Sequence, residues 1–243
     1  MKVRAATDAD VPAIAAIVLA VASAEAPWKS YLPARLRCDP ALVQHAEAVA
    51  RGYLEAGEQT SVVMVAELAA AGEAGRDAPP EIVSVAVWDT RAARPKTDPT
   101  GYISSRQDDD WKLPAGVGEH PKLTALSDAM RRGRHRYFAA EGPHIFLRVL
   151  ATHPDHQGRG HAKALCRWGI AFAHRKRVAV CLETGSRGYI MLSGMGFRDL
   201  GAVVVPAGNG YDEQVLKALH LDAAGAQAAN PGVWDSLWKY IST

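Results

Sequence analysis

The feature of this sequence that most constrains its fold lies between residues 145 and 184. An apolar run over 145–152 leads into the bend His-Pro-Asp-His-Gln-Gly-Arg-Gly, then into an amphipathic helical segment over 160–173 and a second apolar run over 178–184. Two strands that are joined through one helix pair in parallel, because the crossover returns the chain to the edge of the sheet where it began. The pattern therefore predicts an α/β fold that contains a parallel strand pair.

The rest of the sequence predicts strands and helices around this unit. Hydrophobic periodicity and turn residues predict strands at 3–6, 61–66, 82–88 and 200–205, and helices at 10–24, 40–56, 122–140 and 188–195. The two strands at 61–66 and 82–88 are expected to pair in an antiparallel way. We assign residues 1–210 to a single domain, with 89–144 as a long insertion that forms a flap on the substrate side. The alanine-rich residues 211–243 predict a C-terminal helical extension that packs on the domain.

Composition excludes several classes of function. The net charge of +2 provides no general attraction for nucleic acid. No segment has the roughly 20 uninterrupted apolar residues of a membrane span, and Asp8, Asp10 and Pro12 interrupt the apolar run that a signal peptide would need. The three cysteines, Cys38, Cys166 and Cys181, form no C-x-x-C pair. Their number and spacing suggest a reducing compartment. The expected location is the cytoplasm.

The bend after residue 152 admits three interpretations. Three histidines there, His153, His156 and His161, could supply zinc ligands on a suitable scaffold. However, Pro154, Gly158 and Gly160 interrupt any helix that would bring them to one face, and no carboxylate or cysteine completes a ligand set. We therefore expect no metal. The second interpretation is a turn that only joins a strand to a helix, and the third is an anion-binding cradle.

The cradle accounts for more of the residues in the bend. Glycines at 158 and 160 allow a positive φ and a close approach of a ligand to the main chain. The first amides of the following helix have no acceptor within the helix, and they point outward at the positive end of its dipole. Arg159, His161 and Lys163 add donors at the same end. The bend lacks the sequence of a P-loop and of a dinucleotide-binding turn.

Together these residues resemble a known family. The strand, the motif H-P-D-H-Q-G-R-G-H-A and the helix are similar to motif A of the GCN5-related N-acetyltransferase (GNAT) superfamily. Cys-Leu-Glu-Thr at 181–184 and Gly-Met-Gly-Phe at 194–197 resemble the next block of that family, L-Y-x-x-x-G-F. Within the superfamily, the sequence is most similar to puromycin N-acetyltransferase-type enzymes. The likeness is good over 145–205 and loose over 1–25 and 60–88.

The resemblance implies a fold, a cofactor and a binding site. The fold is α/β of the GNAT type, with a mixed, mostly antiparallel central sheet, a splayed parallel strand pair and flanking helices. The cofactor is acetyl-CoA, used as a co-substrate. Its pyrophosphate is expected on the main-chain amides of Gln157, Gly158, Arg159, Gly160, His161 and Ala162. Its pantetheine arm is expected along the strand edge at Leu150, Ala151 and Thr152.

Acyl transfer to an amine needs a proton acceptor, a donor to the thioester carbonyl and a way to protonate the leaving thiolate. Glu183, at the end of the second parallel strand, is the first candidate for the base; His153 and Glu119 are further candidates. A main-chain amide near Leu150 or Ala151 is the candidate donor. The family's tyrosine position is Leu192 in this sequence, so the hydroxyl groups of Tyr189 and Ser193 are the candidate acids.

These observations predict an acetyl-CoA-dependent N-acetyltransferase that acts on a primary amine of a small molecule, by direct transfer in a ternary complex. Two alternatives remain open from the sequence: an acyl-CoA-binding module that has lost catalysis, which Leu192 favours, and a protein lysine acetyltransferase. The expected partners are a small-molecule amine and a second copy of the chain in a homodimer, without nucleic acid or membrane.

Overall fold

A mixed seven-stranded sheet lies at the centre of the computed structural model, which describes residues 1–25, 28–30, 32, 36–69, 80–93, 120–207 and 212–228. Its strands are β1 (Lys2–Ala5), β2 (Ser61–Leu68), β3 (Glu81–Asp89), β4 (His144–Thr152), β5 (Ala179–Thr184), β6 (Arg198–Val205) and β7 (Gln214–Leu221). The helices are α1 (Val11–Ala24), α2 (Pro40–Glu55), α3 (His120–Phe138), α4 (His161–Lys176), α5 (Ser186–Ser193) and α6 (Ala223–Ala228). None of these helices has both the length and the apolar character needed to cross a membrane.

The strand order is β1-β2-β3-β4-β5-β7-β6. Every neighbouring pair is antiparallel except β4 and β5, which are parallel and joined through α4. The prediction of a mostly antiparallel sheet with one parallel pair is therefore confirmed, as is the antiparallel pairing of β2 with β3.

Helices cover both faces of the sheet. On one side, which we call the α4 face, α4 and α6 pack against side chains such as Trp88, Ile145 and Leu182. On the other side, the α3 face, α1 and α2 cover β2 to β4, and α3 covers β5 to β7. Because side chains alternate along a strand, Cys181 lies on the α3 face while Leu182 lies on the α4 face. This alternation decides which residues of β4 and β5 can share a site.

The prediction of a helical segment over 211–243 is wrong where the structure describes it as a strand. Residues Gln214–Leu221 form β7, which is inserted between β5 and β6. Glutamine, leucine, lysine and alanine favour helices in isolation, but pairing with two neighbouring strands outweighs this preference. α6 follows β7, while the tryptophan-containing part of the predicted extension, residues 229–243, lies outside the described residues.

Side-chain contacts fix the entry into the first two helices. Thr7 donates its main-chain N–H to Asp10 Oδ2 at 2.7 Å, and Arg4 donates to the same carboxylate. Asp39 caps α2 by accepting from the amide of Ala41 at 2.9 Å. Both devices satisfy amides that a helix leaves without an internal acceptor. The expected N-terminal helix therefore begins at Val11, after a short turn.

Close packing between α4 and the sheet gives a test of the fold. Gly169 lies against Trp88 so tightly that an added Cβ would overlap the indole ring. We expect Gly169→Ala to lower the free energy of unfolding by about 1–3 kcal/mol, the usual cost of overpacking. Gly52, in α2, is the matched control because an added Cβ meets no atom of the described residues within 4 Å. Gly52→Ala should raise the free energy of unfolding by about 0.5–1 kcal/mol, because alanine favours a helix more than glycine does. Chemical denaturation measures both, and equal effects of the two substitutions would contradict this packing.

Candidate active site

The two parallel strands separate before either of them ends. β4 pairs with β5 only from His144, opposite Ala179, to Leu147, opposite Leu182. Beyond that point β4 stays with β3 as far as Thr152, and β5 stays with β7 as far as Thr184. A wedge-shaped gap therefore opens in the middle of the sheet. The splayed pair that the family resemblance implied is present at this position.

A bulge in β4 lies at the point where the gap begins. Val149 lies opposite Val87 and Leu147 opposite Trp88, so Arg148 is an extra residue of β4 in the register with β3. Such a bulge bends the strand and increases its local twist. The side chain of Arg148 is nearly buried, at 9% exposure, and its Nε donates to Asp89 Oδ2 at 3.1 Å. The divergence of β4 from β5 thus coincides with a buried ion pair.

Main-chain groups of β4 turn alternately towards β3 and towards the gap. The amide of His153 donates to the carbonyl of Val83, so alternation directs Ala151 towards β3 as well. The carbonyl of Ala151 also accepts from Ser84 Oγ at 2.8 Å. By the same alternation, the N–H and C=O groups of Leu150 and Thr152 point into the gap. Of the three residues predicted to form this edge, Leu150 and Thr152 therefore present main-chain groups to a ligand.

The bend between β4 and α4 is open to solvent. Gly158 and Gly160 have φ values of +76° and +87°, and a Cβ added to either would meet no described atom within 4 Å. α4 begins at His161, and the amides of Gly160, His161, Ala162 and Lys163 donate to no acceptor among the described residues. Exposed Arg159 and Lys163 add positive charge beside these amides. A helix N-terminus of this kind binds phosphate groups.

Gln157 organises the bend through its side chain. Its main-chain N–H donates to the carbonyl of Pro154 at 3.3 Å, so this amide is already engaged. Its side-chain Nε2 donates to Glu25 Oε1 at 2.7 Å and to the carbonyl of Thr152 at 3.2 Å. Arg187, at the start of α5, donates to both Gln157 Oε1 and Glu25 Oε1 at 2.7 Å. This network links the end of α1, the bend and α5 across the mouth of the gap.

The three histidines of the bend form a row of rings. The centroid of His156 lies 6.0 Å from that of His153 and 6.4 Å from that of His161. Among the described residues, no group of three or more His, Cys, Asp or Glu side chains could hold a metal ion. Burial, followed by the nearby charges of His156, Arg159 and the N-terminus, lowers the pKa of His161. Its imidazole is therefore held mainly in the neutral form at neutral pH.

Glu183 lies beside the beginning of the gap. It follows Leu182, the last residue of β5 that pairs with β4, and it shares the α3 face with Cys181. Helix α3 covers it: a Cβ added to Gly133 would lie 2.7 Å from Glu183 Oε1. Both carboxylate oxygens are buried. Arg148 is the first residue of β4 beyond the pairing with β5, so the two charged side chains meet the gap from its two sides.

The candidate acids lie elsewhere. Tyr189 packs against the core of the α4 face, and the Lys217 ammonium lies 5.8 Å from the centroid of its ring. Lys217 belongs to β7, so β5 lies between it and the gap. Ser193 is exposed at the end of α5, and Leu192, at the family's tyrosine position, is a core residue with 1% exposure.

The remaining candidates are outside the site. Cys166 and Cys181 are fully buried, and desolvation raises the pKa of the Cys166 thiol to about 12 and that of Cys181 further still. Both thiols therefore serve as small core residues rather than as nucleophiles. His153 lies at the start of the bend, where its Nδ1 accepts from the amide of Asp155. Glu119 lies outside the described residues.

Four residues of this region carry no sequence signal that marks them as functional: Glu25, Asp89, Arg148 and Arg187. Each belongs to a different element, and they come together only because the sheet and helices fold as described. The alternation of Arg148 with apolar neighbours in β4 was the one available hint that a charged side chain points inward.

Comparisons with known proteins agree with this geometry. A family model described as the Acetyltransferase (GNAT) family matches residues 76–187. No curated protein sequence matches the chain significantly. A Corynebacterium glutamicum structure described as histone acetyltransferase HPA2 and related acetyltransferase is 25% identical, with a TM-score of 0.54; the match covers 96% of this chain and 98% of that chain.

Two more distant structures share the fold. The protein yncA from Salmonella typhimurium, solved with its cofactor acetyl-CoA, is 15% identical with a TM-score of 0.51, over 91% of this chain and 93% of that chain. A Drosophila melanogaster polyamine N-acetyltransferase that forms N-acetylagmatine is 13% identical with a TM-score of 0.57, over 90% of this chain and 98% of that chain. Residues 76–187 thus match the model of the GNAT acetyltransferase family, whose members use acetyl-CoA, and the fold is similar to that of these acetyltransferase structures.

Proposed function

We propose that this protein transfers the acetyl group of acetyl-CoA to a primary amine of a small molecule, by direct transfer while both substrates are bound. The observation that carries the proposal is the gap between β4 and β5, which leads from the open bend to the buried carboxylate of Glu183. A ligand that binds both the bend and the gap must have an anionic end and a slender arm. Coenzyme A has both.

The residues at the bend and the gap fit this coenzyme. The four amides from Gly160 to Lys163, with Arg159 and Lys163 beside them, would hold the diphosphate. The gap-facing main-chain groups of Leu150 and Thr152 would pair with the amide groups of the pantetheine arm. Bound acetyl-CoA supplies the acetyl group as a reactive thioester. The protein has to orient it, to remove a proton from the amine and to shield the site from water.

Glu183 is the proposed proton acceptor. Its carboxylate lies where the gap begins, on the α3 face, so an amine that enters from this face meets it before it reaches the gap. The buried thiols of Cys166 and Cys181 have raised pKa values, which supports direct transfer rather than a covalent cysteine intermediate. The leaving thiolate is weakly basic, and we assign its protonation to water rather than to Tyr189, whose ring packs against the core of the α4 face.

A small acceptor fits the site better than the surface of a folded protein does. α3 covers Glu183 closely and both of its carboxylate oxygens are buried, which favours a slender acceptor over a bulky one at this position. This helix comes from the segment predicted to form a flap on the substrate side, and we retain that role for it. The polyamine acetyltransferase of Drosophila, which has the same fold, acts on slender primary amines. The likeness to that enzyme supports the class of acceptor and not its identity.

The proposal is tested by measuring thiol release from acetyl-CoA with a panel of amines. The panel should contain polyamines, aminated sugars, amino acids and a lysine-containing peptide. We expect amine-dependent thiol release with at least one of the small amines, and an acetylated product by mass spectrometry. Release only with the peptide would replace the small acceptor by a protein. Coenzyme binding without release for any amine would refute the transfer and favour a binding module.

The coenzyme cradle is tested by Gly160→Val. A β-branched side chain is strained at φ +87° and would place methyl groups where the main chain must approach the ligand. We expect the dissociation constant for CoA, measured by calorimetry, to rise by at least about tenfold, which corresponds to about 1.4 kcal/mol. Gly57→Val is the matched control because Gly57 has a similar φ of +71°, equally open surroundings and a position in the turn before β2. Equal CoA affinities of the two variants would contradict the cradle.

The proton acceptor is tested by Glu183→Gln, which keeps the shape of the side chain and removes its basicity. We expect kcat to fall by about 10²–10⁴-fold, the usual contribution of a general base, while the affinity for CoA stays unchanged. Tyr189→Phe and Ser193→Ala examine the two hydroxyl groups that the sequence suggested as acids. Both should retain kcat within about threefold if water protonates the thiolate, whereas a loss like that of a general acid would restore the role to the hydroxyl removed.

A further inference from the structure

We propose that Arg148 and Asp89 are a positioning pair for catalysis: their buried ion pair holds the bulge of β4, and the bulge aims the N–H of Leu150 into the gap. The inference rests on the proposed function, because it assigns this N–H as the donor to the thioester carbonyl. Neither residue needs to touch the reacting atoms.

The bulge decides which amides face the gap. Arg148 is the extra residue of β4, and after it Val149, Leu150 and Ala151 lie opposite Val87, Ala86 and Val85. Without the extra residue, every later residue of β4 would shift by one position and reverse its direction. The N–H of Leu150 would then point to β3, and that of Ala151 would point into the gap. One inserted residue therefore sets the position of the donor.

Apolar contacts favour the bulged arrangement, but this arrangement also buries the charged side chain of Arg148. With the bulge, Val149 and Ala151 both lie in the core under α1, while Leu150 lies on the α4 face. The cost is the burial of the Arg148 guanidinium, since a charge removed from water is unfavourable unless it is paired. Asp89 provides the partner at 3.1 Å, from the same face of the neighbouring strand.

Asp89 is itself rigidly held. It is 3% exposed, and its Oδ1 accepts from both the main-chain N–H and the Nε of Arg91 at 3.0 Å. Burial opposes its ionisation, but hydrogen bonding and charge from Arg91, with the charge of Arg148, keep the pKa of Asp89 below its usual range. A fixed carboxylate of this kind gives Arg148 one place to bind. The pair therefore favours a single register of β4 at the start of the gap.

The rate of the reaction should depend on this register more than coenzyme binding does. Leu150 is the first residue after the bulge whose amide faces the gap, whereas the anion-binding amides lie beyond residue 159 in a separate bend. An oxyanion donor contributes only if it is aimed at the oxygen on which charge develops. A shift of this amide would lower kcat and leave the contacts with the diphosphate in place.

The experiment compares Arg148→Met with Arg4→Met. Arg4 forms the matched ion pair, because its Nη1 donates at 2.7 Å to Asp10, a carboxylate with 8% side-chain exposure that lies between β1 and α1. Each substitution removes an arginine from a largely buried carboxylate, which keeps its hydrogen bonds from Arg91 or from Thr7, so both should lower the melting temperature. Only Arg148→Met should lower kcat, by at least about tenfold, which is less than the full loss of an oxyanion donor. Its KM for acetyl-CoA should stay within about threefold of the wild-type value. The kinetics of both variants are measured well below their melting temperatures.

A second readout does not depend on activity. With ¹⁵N-leucine labelling, the Leu150 amide should exchange quickly with solvent in the wild-type protein, since it faces the gap. In Arg148→Met it should change both its chemical shift and its exchange rate, and in Arg4→Met it should keep both. If Arg148→Met does not fold, the near-isosteric Asp89→Asn and the charge-conserving Arg148→Lys replace it. Asp89→Asn should then show the loss in kcat, and Arg148→Lys an intermediate value.

The outcomes separate this inference from the proposed function. An unchanged Leu150 amide in a folded Arg148→Met variant would overturn the positioning role, as would equal kcat values for Arg148→Met and Arg4→Met. A parallel loss of CoA affinity and kcat would also overturn it, because it would show a general collapse of the site. If the wild-type protein transfers acetyl groups to no amine, the proposed function fails, and the Leu150 amide still decides whether the pair holds the bulge.

Discussion

The candidate site depends on the separation of the two parallel strands, β4 and β5, before either of them ends. β4 and β5 share hydrogen bonds only up to Leu147 and Leu182, after which each remains with its other neighbour. Unpaired main-chain groups inside a sheet are unfavourable unless something satisfies them. Part of the need is met by the Gln157 side chain, which donates to the carbonyl of Thr152. The remaining groups are available to a ligand, so the gap is an interruption of the sheet and also the proposed binding site.

The proposed coenzyme-binding half of this site was predictable because it consists mainly of main-chain groups. A strand period, two glycines and a helix start can be recognised from the sequence, and together they dictate where free amides will lie. The structure places positive φ values at Gly158 and Gly160, with open space around both. It also refines the prediction: the amide of Gln157 is engaged by Pro154, and Ala151 faces β3 rather than the gap. These refinements depend on a strand register that no local pattern reveals.

The errors and omissions have a common physical cause. β7 looks helical in isolation, because its leucine, alanine and lysine residues favour helices, and only the open edges of β5 and β6 make it a strand. Arg148 looks like an exposed cation, yet the bulge and Asp89 bury it. Tyr189 lies three residues from Leu192 and was a candidate to replace a tyrosine there, but its ring packs against the core beside Lys217 of β7. In each case contacts between residues distant in sequence override the local signal.

The same distinction explains why the sequence indicates the coenzyme but not the acceptor. Any residue types that permit the bend and the splayed strands can bind a diphosphate and a slender amide-containing arm, because the donors and acceptors are main-chain groups. In the proposed reaction, an acceptor amine is recognised by side chains, those of Glu183 and of the face of α3 that covers it. Such side chains can change without disturbing the sheet, since α3 joins the domain through packing rather than through strand pairing. On this proposal, the fold fixes the donor of the acetyl group, while the cover over Glu183 selects its acceptor.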